Sequence, residues 1–323
     1  HKDKQNKRHK GALNLIYTLT LNPAIDLFIK TQQMAPNTVN RTDSYDVQAN
    51  GKGVNVSCIL KRRGVDNTAL GVGAGFTLDY IADFLTQQGV PNHFYKDAGF
   101  TRINVFARVV TTDTEYKLVN PGPQISADTL NQLYQQLTTL GSDDWLCVSG
   151  SFAQGIAPAF LLKLGALSQK NGFQLIIDSA YPEAVEALAY KPLLVKPNDV
   201  ELMNWFHQTG EADLTTMITL GHRALEAGAQ NILVSLGAAG ALFMNHDVTL
   251  VGNAPKIAVL NTAGAGDTML GTFLAGLYQH HDLAETLKLA IAAGSDTARQ
   301  AWITDFSNTD ELLGQIKIRK MEG

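Results

Sequence analysis

Short apolar runs alternate with helical patterns along most of the chain, and this alternation constrains the fold more than any other feature. Each run is bounded by turn residues, as buried parallel strands are. The alternation predicts an α/β fold with a mostly parallel sheet and helices on both faces, in which ligands bind beyond the carboxyl ends of the strands. The predicted strands are Leu15–Leu21, Asp144–Val148, Gln174–Ile177, Leu193–Val195 and Asn231–Ser235. The predicted helices are Val54–Arg63, Thr77–Gln88, Ala127–Thr139, Pro158–Asn171, Pro182–Leu188 and Leu214–Ala227.

One stretch departs from this alternation. Arg102–Val110 and Glu115–Val119 are extended segments joined by a polar turn, which indicates a hairpin rather than a βα unit. Together with residues around Phe28–Val47, the hairpin predicts a small β-sheet that stands apart from the main core and covers the strand ends as a lid. An exposed edge of such a sheet also favours a homodimer.

The chain shows no long low-complexity linker. We therefore expect a single domain over residues 13–318, with the lid formed by two segments at about 24–47 and 92–122. Residues 1–12 are basic and lack an apolar core, so we expect a tag or disordered tail there and not a secretory signal.

Composition and charge argue against several classes of partner. The net charge of −4 speaks against a nucleic-acid binder that relies on phosphate contacts, although a local cationic pocket for a small anion remains compatible with it. No apolar stretch approaches the ~18–20 uncharged residues of a membrane span. Cys58 and Cys147 lack metal-ligand spacing and lie in apolar runs, so we expect buried, reduced thiols and a cytoplasmic protein.

The strongest local signal is the glycine-rich run Asn261–Thr268, which leads into the helical pattern Met269–Tyr278. A glycine turn that opens a helix presents unpaired backbone amides to an anion. A carboxylate at Asp267 would repel a bound phosphate. Its presence is explained if it accepts the proton of an attacking hydroxyl while the amides hold the transferring group. An ordinary N-cap role is the alternative.

Three further segments carry polar groups suited to bind the molecule that bears the attacking hydroxyl. Asn50–Ser57 is a second glycine turn before a helix, in which Lys52 offers a positive charge and Asn55 an amide. It lacks the Walker A spacing, and a tight turn with an exposed lysine is the alternative. Asp26 lies just beyond the first strand. Arg102 begins the hairpin, where a guanidinium can grip a phosphate or remain solvated.

Two segments suggest a nucleotide and its metal ion. Asn198 and Glu201 follow the strand Leu193–Val195 and lie three residues apart at a helix start, on one helix face. This spacing suits Mg²⁺ held through water, and it also suits a helix-capping pair. Ser235–Gly240 is a small-residue turn after a strand, which lets a nucleotide pass close to the backbone.

In this order the segments resemble the PfkB (ribokinase-like) family of carbohydrate kinases, from about Ile16 to Thr304. Gly264–Asp267 resembles the C-terminal signature of the family, Asn50–Ser57 the N-terminal signature, and Asn198–Glu201 the N-x-x-E magnesium motif. The resemblance implies a ribokinase-like central sheet with a small β-sheet lid. It also implies ATP-dependent phosphorylation of a sugar or sugar phosphate.

Within the family, the chain resembles the branch that phosphorylates fructose 1-phosphate to fructose 1,6-bisphosphate. Tagatose-6-phosphate kinase is the nearest alternative, and a nucleoside or free-sugar kinase and a non-catalytic sugar-phosphate sensor are more distant ones. The passages that carry this resemblance are Thr18–Asp26, Val39–Thr42, Leu60–Gly71, Thr101–Val105 and Pro121–Ser126.

The resemblance also implies roles for single residues. Asp267 would be the catalytic base, and the amides of Gly264, Ala265 and Gly266 the anion hole. The sugar phosphate would be held by Asp26, Gly51, Lys52, Asn55, Arg102 and Ser151. The ATP site would be lined by Lys196, Asn198, Ser235, Gly237 and Gly240, with Mg²⁺ held through water by Asn198 and Glu201. A monovalent cation near the anion-hole loop is implied without ligands assigned to it.

Some positions depart from the pattern of the family. Asn50 replaces the first glycine of the usual Gly-Gly-Lys-Gly, which puts a side chain where the backbone is normally bare. The segment Ser149–Gly155 also differs from its usual counterpart, and Thr268 replaces the usual serine while keeping the hydroxyl. These departures leave the charged catalytic groups in place and bear on the choice of sugar.

Overall fold

The computed structural model describes residues 15–322, and the predicted tag or tail at 1–12 lies outside the described residues. The described chain forms strands β1 Ile16–Thr20, β2 Ala24–Thr31, β3 Ser44–Asn50, β4 Asn67–Ala74, β5 Asn92–Asp97, β6 Arg102–Val109, β7 Thr114–Leu118, β8 Trp145–Ser149, β9 Gln174–Asp178, β10 Leu194–Val195, β11 Asn231–Ser235, β12 Ala241–Asn245, β13 Thr249–Gly252 and β14 Ile318–Met321. Its helices are α1 Lys52–Arg62, α2 Gly75–Gln87, α3 Ala127–Leu137, α4 Phe160–Asn171, α5 Glu183–Glu186, α6 Asp199–Trp205, α7 Leu214–Ala227, α8 Ala265–Tyr278, α9 Leu283–Ala298 and α10 Asp310–Leu313.

Among the described residues, the larger sheet has ten strands in the order β14-β13-β12-β11-β10-β9-β8-β1-β4-β5. Neighbouring strands run parallel from β5 to β11. At the other edge, β12, β13 and β14 are antiparallel. The chain winds from β1 to one side and then returns to wind to the other, so the strand order reverses between β1 and β8. Ligands bind at such a switch point in open α/β sheets.

Helices cover both faces of this sheet because its strands are apolar on both sides. In β8, Leu146 and Val148 pack into one hydrophobic cluster and Cys147 into the other, as the alternation of side chains along a strand requires. The first cluster includes Leu133, from α3, and the second includes Phe273, from α8. The predicted fold class, a mostly parallel sheet between two helical layers, is confirmed.

The smaller sheet, within residues 15–322, has four strands in the order β3-β2-β6-β7. β2 leaves the end of β1 directly and pairs antiparallel with β3 and parallel with β6. The register places Asp26 opposite both Gln48 and Asn104, so these side chains share one face. This sheet therefore carries Asp26 to the carboxyl end of β1.

Several boundaries differ from the predicted ones. Asn92–Asp97, which the prediction assigned to the lid, is the edge strand β5 of the larger sheet, so the small sheet starts its second segment at Arg102. The helix predicted from Met269 begins four residues earlier, at Ala265, which brings Asp267 into its first turn. Strand β4 was absent from the prediction.

Two expectations from composition can be compared with the described residues. Cys58 and Cys147 are buried and free, and burial raises the pKa of both thiols to about 12. Among the helices that the structure describes, none has the length and apolar character needed to cross a membrane.

Candidate active site

A cavity of about 370 Å³ opens where the strand order reverses. The register places Thr20 beside Ser149, and Ser149 beside Asp178, so the carboxyl ends of β1, β8 and β9 meet here. We call it the central cavity. It is lined by Thr20, Asn22, Lys52, Arg102, Ser149, Gly150, Ser151, Asp178, Ala180, Tyr181 and Glu201.

Three of the residues that line the central cavity have buried polar atoms without hydrogen-bond partners. Among the described residues, no partner reaches buried Thr20 Oγ1, Asn22 Oδ1 or Arg102 Nε. Buried polar atoms are rarely left in this state, because each one costs about 1–3 kcal/mol when desolvated without a partner. A cavity with this lining is suited to a polar ligand.

Arg102 begins β6 and reaches over the central cavity. Its guanidinium donates to the carbonyl of Asn22 at 3.0 Å and to that of Asn120 at 3.4 Å. Asn22 in turn donates to the hydroxyl of Ser151 at 3.1 Å, which joins the segments after β1 and β8. Burial lowers the pKa of Arg102, but a guanidinium stays charged at any physiological pH. The predicted residues Arg102 and Ser151 therefore lie in one cavity.

Asp178 ends β9 between two lysines. Lys52 Nζ lies 3.7 Å from Asp178 Oδ1, and Lys196 Nζ lies 3.6 Å from Asp178 Oδ2. The nearby Asp178 carboxylate raises the pKa of Lys52 above its ordinary value, so the ammonium is charged. Asp178 was not among the predicted site residues. An acid directly after the predicted strand Gln174–Ile177 is the signal that marks it.

Gly51 sets the position of Lys52. Its φ of 134° lies in a region that favours glycine, and a Cβ there would come within 2.9 Å of Thr20 Cγ2. Helix α1 begins at the next residue, so the turn directs Lys52 toward the central cavity. The predicted role of Gly51 is therefore one of backbone geometry.

Asp267 lies in the first turn of α8 and is almost fully buried. Burial raises the pKa of its carboxyl group, while the charge of Lys52 acts in the opposite direction. Asn55 Nδ2 donates to Asp267 Oδ2 at 2.9 Å. A buried carboxylate with a raised pKa and nearby cations has the properties of a general base.

The predicted anion hole is the start of α8. Gly264 has a left-handed φ of 80°, and a Cβ there would come within 2.9 Å of Ile303 Cγ2. The amide of Ala265 donates to the carbonyl of Thr262 at 3.2 Å. Gly266 follows in the first helical turn, where amides have no acceptor within the helix. A Cβ added at Gly266 would lie 3.4 Å from Lys196 Nζ, so this lysine stands beside the anion hole.

Asp26 is buried on β2, outside the lining of the central cavity. Its carboxylate accepts hydrogen bonds from the side-chain amides of Asn50 and Asn104. Burial raises the pKa of this carboxyl group, and the two amide hydrogen bonds partly offset that effect. Asp26, the acid predicted to hold the acceptor, therefore lies within the small sheet.

Asn198 and Glu201 form a capping box at the start of α6. Asn198 Oδ1 accepts from the amide of Glu201 at 2.8 Å, and Glu201 Oε2 accepts from the amide of Asn198 at 3.0 Å. Glu201 also lines the central cavity. Within residues 15–322, no group of three or more His, Cys, Asp or Glu side chains is arranged to hold a metal ion.

The turn after β11 lies away from the central cavity. Ser235 pairs with Asn198, and its amide donates to the carbonyl of Pro197 at 3.2 Å. Gly237 and Gly240 close a tight turn at the rim of a second cavity of about 380 Å³. We call it the turn cavity, and its lining includes Leu214, Met217, Leu236, Ala239, Val251, Lys317 and Arg319.

The sequence pattern of one protein family matches nearly the whole chain. The description "pfkB family carbohydrate kinase" applies to the match over residues 13–305. The chain is 38% identical over 304 residues to D-tagatose-1-phosphate kinase of Bacillus licheniformis, with 94% of this chain and 99% of that protein covered. It is 31% identical over 308 residues to 1-phosphofructokinase of Bacillus subtilis, with 95% and 100% covered.

Crystal structures of phosphofructokinase-2 from Escherichia coli have the same fold. The complex with substrates and products gives a TM-score of 0.85 at 29% identity and covers 93% of this chain and 99% of that chain. The complex with potassium gives a TM-score of 0.86 at 28% identity, with 94% and 99% covered.

Proposed function

This chain belongs to the pfkB family of carbohydrate kinases and is a sugar-phosphate kinase, and we propose that it transfers the γ-phosphoryl group of ATP to a hydroxyl of a ketohexose 1-phosphate. One observation carries the proposal. The buried carboxylate of Asp267 stands at the start of α8, in the electrostatic field of Lys52 and Lys196, and Lys52 also lines the central cavity.

The protein groups divide the work of an in-line transfer. Asp267 accepts the proton of the attacking sugar hydroxyl, and the amide of Gly266 faces the charge that develops on the transferring group. The amide of Ala265 already donates to the carbonyl of Thr262 and would have to exchange that hydrogen bond to join it. Lys52 and Lys196 neutralise phosphate oxygens on either side. Arg102 binds the phosphate that the acceptor already carries, since its planar guanidinium matches phosphate geometry. Positioning and electrostatics supply the rate enhancement.

The residues present fit a magnesium ion that accompanies ATP. Asp178 Oδ2 is buried without a hydrogen-bond partner among the described residues, and Glu201 lines the same cavity. Mg²⁺ in kinases is held by one or two carboxylates together with phosphate oxygens and water, which agrees with so small a set. Asp178 and Glu201 would hold the ion, and Asn198 would orient Glu201 through the capping box. The ion would neutralise phosphate charge.

The turn cavity provides a place for the base of the nucleotide. Leu236 and Val251 give it an apolar wall, and Ala239 adds a small side chain from the turn after β11. Asp199 and Leu236 line this cavity and directly follow Asn198 and Ser235, which pair with each other. Lys196, two residues before Asn198, stands beside Gly266. A monovalent cation near the Asn261–Thr268 loop remains part of the proposal, in keeping with the potassium complex of phosphofructokinase-2.

Two ketohexose 1-phosphates are candidate acceptors. Fructose 1-phosphate, which the sequence predicted, agrees with the name of the Bacillus subtilis relative. Tagatose 1-phosphate agrees with the name of the Bacillus licheniformis relative, which has the higher identity. The two sugars differ only in configuration at C4, so both present the same 1-phosphate to Arg102 and the same free 6-hydroxyl to Asp267.

The small sheet would act as a lid that excludes water from the transfer.

The small sheet also exposes large apolar side chains, among them Tyr45, Tyr116 and Leu118. We propose that a second copy of the chain covers this face in a homodimer. Light scattering on a size-exclusion column tests this, because Leu118→Asp should convert a dimer to a monomer.

The deciding experiment is an ADP-release assay with MgATP and a set of acceptors. The set contains fructose 1-phosphate, tagatose 1-phosphate, tagatose 6-phosphate, fructose 6-phosphate and the two free sugars. We expect turnover with a ketohexose 1-phosphate and far weaker turnover with the free sugars. Equal turnover of free and phosphorylated sugars would contradict the proposal, and no acceptor-dependent turnover would favour a sugar-phosphate sensor.

A further inference from the structure

Five side chains form a continuous hydrogen-bonded chain from the small sheet to Asp267. Asn104 Nδ2 donates to Asp26 Oδ1 at 2.9 Å, and Asn50 Nδ2 donates to Asp26 Oδ2. Asn55 Nδ2 donates both to Asn50 Oδ1 and to Asp267 Oδ2, at 2.9 Å in each case. All of these side chains are buried except that of Asn50, which is partly buried.

The chain crosses several elements. Asn104 lies on β6, Asp26 on β2 and Asn50 at the end of β3, so three strands of the small sheet contribute. Asn55 lies on α1 and Asp267 on α8, both packed on the larger sheet. The small sheet and the reacting carboxylate are therefore joined by side chains and not only by backbone.

Asn50 is the link that makes this chain continuous. Its amide group donates to Asp26, and its oxygen accepts from Asn55 and from the amide of Gly51 at 2.7 Å. A glycine at position 50, the residue that the PfkB signature usually has there, would provide neither group. With Asn50 absent, one hydrogen of Asn55 Nδ2 would lose its acceptor. Because Asn55 Oδ1 has no partner among the described residues, the hydrogen bond to Asp267 would then be the single one that orients this amide.

We propose that Asn50 is a positioning residue that fixes the Asn55 amide on Asp267 and thereby couples the small sheet to the catalytic base. The inference rests on the proposed function only in taking Asp267 as the base. Asn50 acts through Asn55 and does not itself touch the reacting groups. A bound acceptor that moves the small sheet would, through this chain, change the hydrogen bonding of Asp267.

A shift in the titration of Asp267 would distinguish this role from a structural one. The groups that face Asp267 are Asn55 and Lys52 from α1, Asp178 from the end of β9 and Lys196 from the segment after β10. Asn55 stabilises the ionised form of Asp267 by donating to it. Loss of Asn50 weakens that hydrogen bond, so Asp267 should lose its proton at a higher pH.

The first measurement is the pH profile of kcat/KM in Asn50→Ala. The acid limb of the profile reports the pKa of the essential base in the free enzyme. We expect the limb to move upward by about half a pH unit or more, with a fall in kcat of about tenfold. In the Asn55→Ala background, Asn50→Ala should add no further shift, since residues that act through one contact are not additive.

Gln48→Ala is the matched control. Gln48 lies two residues earlier on β3, has a side-chain amide on the same face, and donates to Asp46 at 2.8 Å outside the chain of hydrogen bonds. Its removal should leave the acid limb in place. Asn50→Gly serves as a second variant at position 50, and it should shift the limb as Asn50→Ala does.

A stability measurement tests the same inference without a substrate. Asp267→Asn removes the cost of burying an ionised carboxylate, and a higher pKa of Asp267 makes that cost larger at pH 7.5. Asp267→Asn should therefore raise Tm more in the Asn50→Ala background than in the wild type.

The outcomes separate the inference from the proposed function. A folded Asn50→Ala variant with an unmoved acid limb and an unchanged Tm effect of Asp267→Asn would overturn the inference, even if sugar phosphates are turned over. An additional limb shift in the Asn55→Ala background would also overturn it. If no sugar phosphate is turned over, the proposed function fails, and the Tm comparison still decides whether Asn50 controls Asp267.

Discussion

Asp267 has amide side chains on the side of the small sheet and charged side chains on the side of β9 and β10. On the first side, Asn55 donates to it at 2.9 Å in a buried chain of hydrogen bonds. On the second side, Lys52 and Lys196 lie 3.7 and 3.6 Å from Asp178, beyond hydrogen-bond distance. Hydrogen bonds already fix the amide side, whereas the lysines remain able to turn toward phosphate oxygens.

The difference assigns separate tasks to the two sides. Neutral amide side chains orient the carboxylate by hydrogen bonding and leave its charge unneutralised. These hydrogen bonds are present before any ligand binds. Lysines held only by a distant carboxylate cost less to redirect than lysines in short ion pairs. In the proposed mechanism, the amide side orients the base, and the charged side supplies the lysines that bind phosphate oxygens. Variants on the two sides should therefore affect different kinetic constants.

Asp267→Asn should have the largest effect on kcat, because the amide side and the charged side both act on this carboxylate. We expect kcat to fall by about 10³-fold, since general base catalysis contributes roughly 10²–10⁴-fold. The KM values for ATP and sugar phosphate should change little, because Asn keeps the size and the hydrogen bond of the site. Steady-state kinetics with purified variant check this. Turnover close to that of the wild type would remove Asp267 from the role of base.

Arg102→Met tests whether the acceptor phosphate is bound apart from the base. We expect KM for the sugar phosphate to rise by about 10- to 100-fold, as a hydrogen bond to a charged group contributes roughly 1.5–3 kcal/mol. The KM for ATP should stay near the wild-type value.

Arg108→Met is the control for this prediction, because Arg108 lies on the same strand in an exposed ion pair with Asp113. An equal rise in KM for both variants would mean that the small sheet, and not the guanidinium over the cavity, controls acceptor binding.

The two lysines on the charged side should differ in their effect on stability. The side chain of Lys196 is 5% exposed and that of Lys52 is 45% exposed. Lys196→Met leaves the buried carboxylate of Asp178 with Lys52 as its single lysine partner, and the side chain of Lys52 is partly exposed to solvent. This variant should lower the free energy of unfolding by about 3 kcal/mol. Lys52→Met should lower it by less than about 1 kcal/mol. Urea unfolding of the two variants measures the difference, and equal losses would contradict the burial argument.

Sequence patterns located some elements to the residue and missed others for physical reasons. Asn231–Ser235 and Leu214–Ala227 begin and end as predicted, because a clear apolar pattern stops at strong turn signals. Strand β4 was missed because Gly71 and Gly73 interrupt its apolar run. The structure explains these glycines, since a Cβ at Gly71 would lie 2.3 Å from the carbonyl oxygen of Thr20. That constraint comes from a neighbouring strand and is invisible locally.

The candidate site was predictable where a residue belongs to a motif. Asp267, Lys52 and Arg102 follow glycine turns or open a hairpin, and the structure brings all three to one end of the sheets. Asp178 belongs to no motif, and its position between two lysines depends on strands far apart in sequence. For Asn198 and Glu201, a capping box and a metal site require the same spacing, so only coordinates could reveal the capping box.

The smallest expected effect is a change in Tm, which reports the free energy cost of burying the ionised carboxylate of Asp267. Burial raises the pKa of Asp267, so the fold disfavours its ionised form. This cost is fully present above the raised pKa and is absent below the unfolded value of about 4. Asp267→Asn should therefore raise Tm at pH 7.5 by about 1–3 °C, and the gain should shrink as the pH falls through the pKa of the folded state. Differential scanning calorimetry over a pH series measures it. A Tm gain that does not vary with pH would show that Asp267→Asn stabilises the protein through packing and not by removing a buried charge.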